Sequence, residues 1–238
     1  MAADSARAPA GSLAGAAIAF DLDGTLVDTA HDLIGTLNWL LAEEGHPPLP
    51  LAEARPFIGR GARWMIERGF QAADAPLAPA DVQPLFERFI DRYEGHIADE
   101  SRPFPGCIAA LEALKAEGAK LCVCTNKLTG LSTALLDALG MRRLFDAVIG
   151  SDSTPAIKPD ARHLQTALAA AGGSPSRAIM VGDAATDAGA ARAAKVPLIL
   201  VSFGYTETPA AELGADILID HYDELRAACA RLLGACGA

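Results

Sequence analysis

The sequence predicts an α/β protein: a doubly wound parallel sheet, a Rossmann-like core, interrupted by an inserted all-helical domain. Three observations carry this. Short apolar runs of strand length recur without polar alternation, as strands covered on both faces require. Segments with helical spacing lie between them. One stretch, residues 30–99, breaks the alternation and carries helical patterns only.

The strand-like runs are 17–22, 119–125, 147–150, 178–181, 198–203 and 217–219. Leu111 and Leu114 precede Gly118, a suitable helix stop. Leu128, Leu131, Leu135 and Leu139 share a face before Gly140, as do Leu164, Ala167, Leu168 and Ala171 before Gly172. Within the helical stretch, Val82, Leu85, Phe86, Phe89, Ile90 and Tyr93 fall on one helical face. Pro84 is expected in the first turn of that helix, where proline is tolerated. Arg102-Pro103-Phe104-Pro105-Gly106 reads as a stiff linker closing the insertion. The expected organisation is a frayed tail over 1–14, a core formed by 15–29 and 101–238, and a helical insertion over 30–100.

The bulk properties narrow the function. Of 238 residues 51% are hydrophobic, which suffices for a substantial core. A net charge of −10 with no basic stripe argues against a nucleic-acid partner. No apolar run is long enough to span a membrane, and the first residues lack the basic and apolar regions of a signal peptide. The five cysteines, Cys107, Cys122, Cys124, Cys229 and Cys236, have no metal-type spacing and fit a reducing compartment. A cytoplasmic protein, monomer or homodimer, is expected.

Four short motifs carry candidate chemistry. Asp21-Leu22-Asp23-Gly24-Thr25 follows the first strand. Residues two apart in extended chain point the same way, so Asp21 and Asp23 can face one ligand. Such a pair suits a nucleophile with a proton shuttle, and also a hard cation such as Mg²⁺. Thr125-Asn126 ends the second strand; the hydroxyl can donate to a phosphate oxygen, although the pair would also serve as a helix start. Lys158-Pro159 lies after the third strand and offers an ammonium for phosphate. Gly182-Asp183-Ala184-Ala185-Thr186-Asp187 follows the fourth strand, with Asp183 and Asp187 placed for metal or for capping. Three of the four sit at carboxyl ends of strands and the fourth on a loop at the same edge, where open α/β sheets bind ligands.

Over residues 18–220 the order and spacing of these motifs resemble the haloacid dehalogenase-like superfamily, in its phosphoglycolate phosphatase-like branch. Residues 59–63, 104–106 and 201–205 resemble stretches of that branch as well. Ala161, Ala184 and Lys195 depart from its pattern; a glycine is usual at the last, so a helix end there is expected to be less well capped. The resemblance implies that the helical insertion is a cap domain. It implies a Mg²⁺-dependent phosphatase acting on a small phosphorylated metabolite through an aspartyl-phosphate on Asp21, with Asp23 as acid and base. Thr125 and Lys158 would hold the phosphoryl oxygens, with Asn126 beside them. Mg²⁺ would be held by Asp21, the Asp23 backbone carbonyl and Asp183, with Asp187 orienting a water or Lys158. The rivals are a β-phosphoglucomutase-like phosphomutase, a dehalogenase, for which Asp23 has no use, and a phosphate-binding regulator without turnover. Nothing in the core motifs reads the rest of the substrate. Within the cap, Arg60 between Gly59 and Gly61 is the expected reader of a carboxylate such as that of 2-phosphoglycolate, with Arg63 next in line.

Overall fold

The structure, a computed structural model, describes residues 13–235. Most of the expected tail, residues 1–12, and Cys236 lie outside them. Leu13 does not belong to a frayed tail: its side chain is fully buried in the core.

Six strands form one parallel sheet. They are β1 (Ala17–Phe20), β4 (Lys120–Cys124), β5 (Ala147–Ile149), β6 (Ala178–Gly182), β7 (Leu198–Val201) and β8 (Ile217–Ile219). Between them, β2 (Val27–Asp28) and β3 (Arg102–Pro103) pair as a short antiparallel ribbon. The sheet order is β5-β4-β1-β6-β7-β8. The chain builds outward from β1 through β4 to β5, then returns to β1's other side with β6, so β1 is the switch point.

The unbroken apolar strands are explained by cover on both faces. Ile18, Phe20, Leu121, Val123, Ile179 and Val181 point to one side, against α5 (Cys107–Ala116), α6 (Thr129–Ala138) and α9 (Leu225–Ala235). Their neighbours Ala17, Ala19, Cys122, Cys124 and Met180 point to the other, against α7 (Ala161–Ala170) and α8 (Ala185–Ala194). The expected strands 17–22, 119–125 and 198–203 overshoot: Asp21, Thr125 and Ser202 continue past the ladder as the loops that carry the site.

The insertion is helical throughout: α1 (Ala30–Glu43), α2 (Leu51–Ala54), α3 (Ala62–Ala72) and α4 (Pro79–Glu94). Leu37, Phe57, Ile66, Phe70, Phe89 and Tyr93 form its own apolar cluster, which Leu131 and Tyr205 of the sheet layer join. One expectation fails. Pro84 is the sixth residue of α4, not in its first turn. Its missing N–H leaves the Ala80 carbonyl without an intrahelical donor; both residues are exposed, so water can take that place. The ribbon is reinforced by Asp32 of α1, whose carboxylate accepts from the Glu100 and Ser101 N–H groups and the Ser101 hydroxyl.

Candidate active site

The carboxyl ends of β1, β4 and β6 are neighbours, so the loops after them converge. Asp21 leaves β1, its own N–H still donating to the Val181 carbonyl of β6. Lys158 reaches in from the loop after β5. Its Nζ lies 2.7 Å from Asp21 Oδ1 and donates to Asp187 Oδ1 at 2.7 Å. The other Asp187 oxygen accepts from the Asp183 and Ala184 N–H groups, both at 3.1 Å. Asp187 therefore caps the start of α8 and positions the lysine at once. Asp183 accepts from Thr25 Oγ1 at 3.0 Å and from the Tyr205 N–H at 2.7 Å. Gly24 makes this closeness possible: its φ is +83°, and a Cβ there would stand 2.6 Å from Asp183 Oδ2.

These groups are buried, and burial decides their electrostatics. It pushes the Asp21 carboxyl up to about 7, with the Lys158 charge opposing and Asp187 adding to the rise. Asp183 is raised well above its ordinary value by burial, then by Asp187 and Asp21. Burial alone would lower the Lys158 ammonium, but Asp187 and Asp21 outweigh it and hold it above its usual range. Oxygens of Asp21, Asp183 and Asp187 lie within 4.8 Å of one another. Three carboxyl groups thus crowd one ammonium. Asp21 Oδ1, although close to Lys158, receives no well-aligned hydrogen bond. An all-oxygen set with an orphaned buried acceptor fits a hard divalent cation. Asp187 spends both oxygens on Lys158 and the α8 start, and Asp183 has both engaged by Thr25 and Tyr205, which leaves Asp21 Oδ1 as the unpartnered oxygen of the three.

The other expected residues take up distinct places. Thr125 is buried, and its Oγ1 accepts from the Lys127 N–H at 3.2 Å. Asn126 is committed to backbone: its amide donates to the Gly59 and Lys158 carbonyls and accepts from the Lys158 N–H. It braces the lysine loop against the helical insertion. His163 joins that brace by accepting from the same N–H at 3.2 Å. Burial and then the Lys158 charge hold its ring down to about 4, so it stays neutral. Arg60 lines the cavity over the site but is exposed, its guanidinium stacked 4.4 Å above the Trp64 ring. That cavity, about 300 Å³, is walled by Asp21, Asp23 and Thr125 below and by α3 and α4 residues above. The Asp23 carboxylate does not face Lys158 but meets Lys127 at 3.0 and 3.2 Å. Sequence reasoning missed Lys127; its position directly after Thr125-Asn126, at the same sheet edge, was the available signal.

The comparisons give the chain a family. Residues 18–201 match the family of haloacid dehalogenase-like hydrolases. A phosphoglycolate phosphatase of Caulobacter vibrioides is 58% identical over 95% of both chains. Another from Agrobacterium fabrum is 46% identical over 92% of this chain and 94% of its own. Among solved structures, a predicted phosphoglycolate phosphatase from Haemophilus somnus superposes with a TM-score of 0.80 at 30% identity, covering 87% of this chain and 95% of that one. CbbY from Rhodobacter sphaeroides, in complex with phosphate, gives 0.75 at 27% identity, over 88% and 95%. With its sheet order, its four motifs at one sheet edge and these relatives, the chain belongs to the haloacid dehalogenase-like hydrolase family.

Proposed function

We propose that the protein is a Mg²⁺-dependent phosphatase that hydrolyses 2-phosphoglycolate, a small phosphomonoester, through a phosphoryl intermediate on Asp21. The single observation that carries this is the buried Asp21 carboxylate, held 2.7 Å from the Lys158 ammonium at the floor of the cavity. The phosphoglycolate phosphatase named at 58% identity supports the choice of substrate.

In this reading Asp21 attacks phosphorus in line and its carboxylate oxygen displaces the leaving oxygen. Asp23, in its protonated form, gives its proton to that oxygen. It then takes a proton from the water that attacks the aspartyl-phosphate, so one water is consumed and glycolate and phosphate leave. Lys158 and Thr125 hold the phosphoryl oxygens while charge moves between them. Asp187 and Asn126 fix Lys158 in place. Mg²⁺ would be held by Asp21, Asp183 and the Asp23 backbone carbonyl, and it supplies charge neutralisation to the phosphoryl group. Arg60 meets the anionic substrate at the exposed rim. Residues 30–100 act as the cap over a core of 15–29 and 101–238, excluding bulk water during attack.

The test is steady-state hydrolysis of 2-phosphoglycolate with Mg²⁺. The wild type should turn over. Asp21→Asn, and the wild type in excess chelator, should lose turnover to background with the fold intact by circular dichroism. Substantial activity in either would contradict the reading.

A further inference from the structure

Lys127 is a second buried ammonium, and the roles above leave it unused. Its Nζ is shared between both oxygens of Asp23 and lies 4.5 Å from the centre of the Tyr93 ring. Tyr93 is fully buried and belongs to α4. The helical insertion, the proton-carrying carboxylate and the cavity therefore meet at this one side chain. Around it the cavity wall is apolar, formed by Ile58, Met65, Phe89, Ile90 and Leu131. The other basic residues on that wall, Arg60 and Arg63, are exposed and stacked on Trp64 and Phe86. An ammonium screened from water by apolar walls attracts an anion far more strongly than an exposed guanidinium does.

The pairing has a chemical consequence. Lys127 can leave Asp23 only for another anion, because an unpaired ammonium against apolar wall is costly. An anionic group on the leaving portion of the substrate would provide it. We propose that Lys127 is the specificity-determining residue of the site: its ammonium passes from Asp23 to a carboxylate on the leaving portion of the substrate. This inference rests on the phosphatase reading and deepens it by assigning the carboxylate contact to Lys127 within the cavity, with Arg60 left at the rim.

The experiment compares kcat/KM for 2-phosphoglycolate with that for its neutral carboxamide isostere, in the wild type, Lys127→Met, Lys127→Gln and Arg60→Ala. The wild type should prefer the carboxylate by about 10- to 100-fold, the range of a hydrogen bond to a charged group. Both Lys127 variants should bring that ratio near one, and Arg60→Ala should keep it. An unchanged ratio in the folded Lys127 variants, or collapse of the ratio in Arg60→Ala instead, overturns the assignment. The glutamine variant covers the case in which methionine does not fold. Equal rates on both esters in the wild type overturn the inference while leaving the phosphatase reading intact; no hydrolysis of either ester overturns both.

Discussion

At the scale of single residues, the site is a cluster of buried carboxyl groups around one ammonium. Asp21 in the cation-free protein is pushed up to about 7, first by burial and then by Asp187 against the pull of Lys158. The sign follows directly. An acid whose folded pKa exceeds its unfolded value of 3.8 binds its proton more tightly when folded. Its contribution to stability is therefore complete below pH 3.8 and is lost as pH rises toward 7. Mg²⁺ must displace that proton, so its binding should strengthen over the upper part of this window. Mg²⁺ should raise Tm more at pH 8 than at pH 6, and Asp183→Asn should remove most of the gain. An equal or larger gain at pH 6 would contradict the ligand assignment. Asp21, Asp23, Lys158, Asp183 and Asp187 were legible in the sequence because strand ends place them at one edge. Lys127 was harder to read, since its partner Asp23 lies 104 residues away and only its place directly after Thr125-Asn126 pointed to it. The committed amide of Asn126 was equally hidden, because its partners are backbone atoms of two distant loops.

Secondary-structure elements show where sequence pattern is sufficient and where it stops. The sheet strands were readable because cover on both faces leaves them no polar position. The ribbon of β2 and β3 was not, because two residues per strand carry no period. Pro84 was misplaced by the start of α4, which lies at Pro79 and uses that proline in its first turn. The end of α8 keeps its capping hydrogen bonds, the Lys195 and Val196 N–H groups donating to the Arg192 and Ala191 carbonyls, but Lys195 stands where glycine would be unstrained. Its φ is +56° and its ψ +41°, left-handed, and it is exposed. A side chain there strains against the following carbonyl, which glycine would not. Lys195→Gly should stabilise by about 0.5–1 kcal/mol, the relief being partly offset by the freer unfolded chain. Urea denaturation would show a higher midpoint at unchanged slope, and kcat/KM should not move. A lower midpoint would mean that the left-handed turn carries no strain. Gly204 has a reason that resemblance alone did not provide: a Cβ on it would lie 2.2 Å from that of Asp183.

In the whole molecule, the helical insertion is tied to the sheet layer at points that also hold the site. Asn126 bonds Gly59 and Lys158 together, and Arg55 donates to the Phe203 carbonyl. The Tyr205 hydroxyl accepts from the Thr29 and Ala30 N–H groups at the root of the insertion and donates to Asp28, while its own N–H donates to Asp183. Movement at that root is thus coupled to a candidate cation ligand through one residue. The central claim is that the Asp21 carboxylate carries the phosphoryl group. The direct measurement is acid quench of the enzyme during turnover of 2-phosphoglycolate with Mg²⁺, followed by peptide mass spectrometry. It is best made in Asp23→Asn, which should slow release of the intermediate by roughly 10²- to 10⁴-fold. The account predicts an acid-stable, base-labile phosphoryl group on the peptide containing Asp21, absent in Asp21→Asn. A phosphoryl group on another residue, or full turnover with none on Asp21 at any quench time, would contradict it.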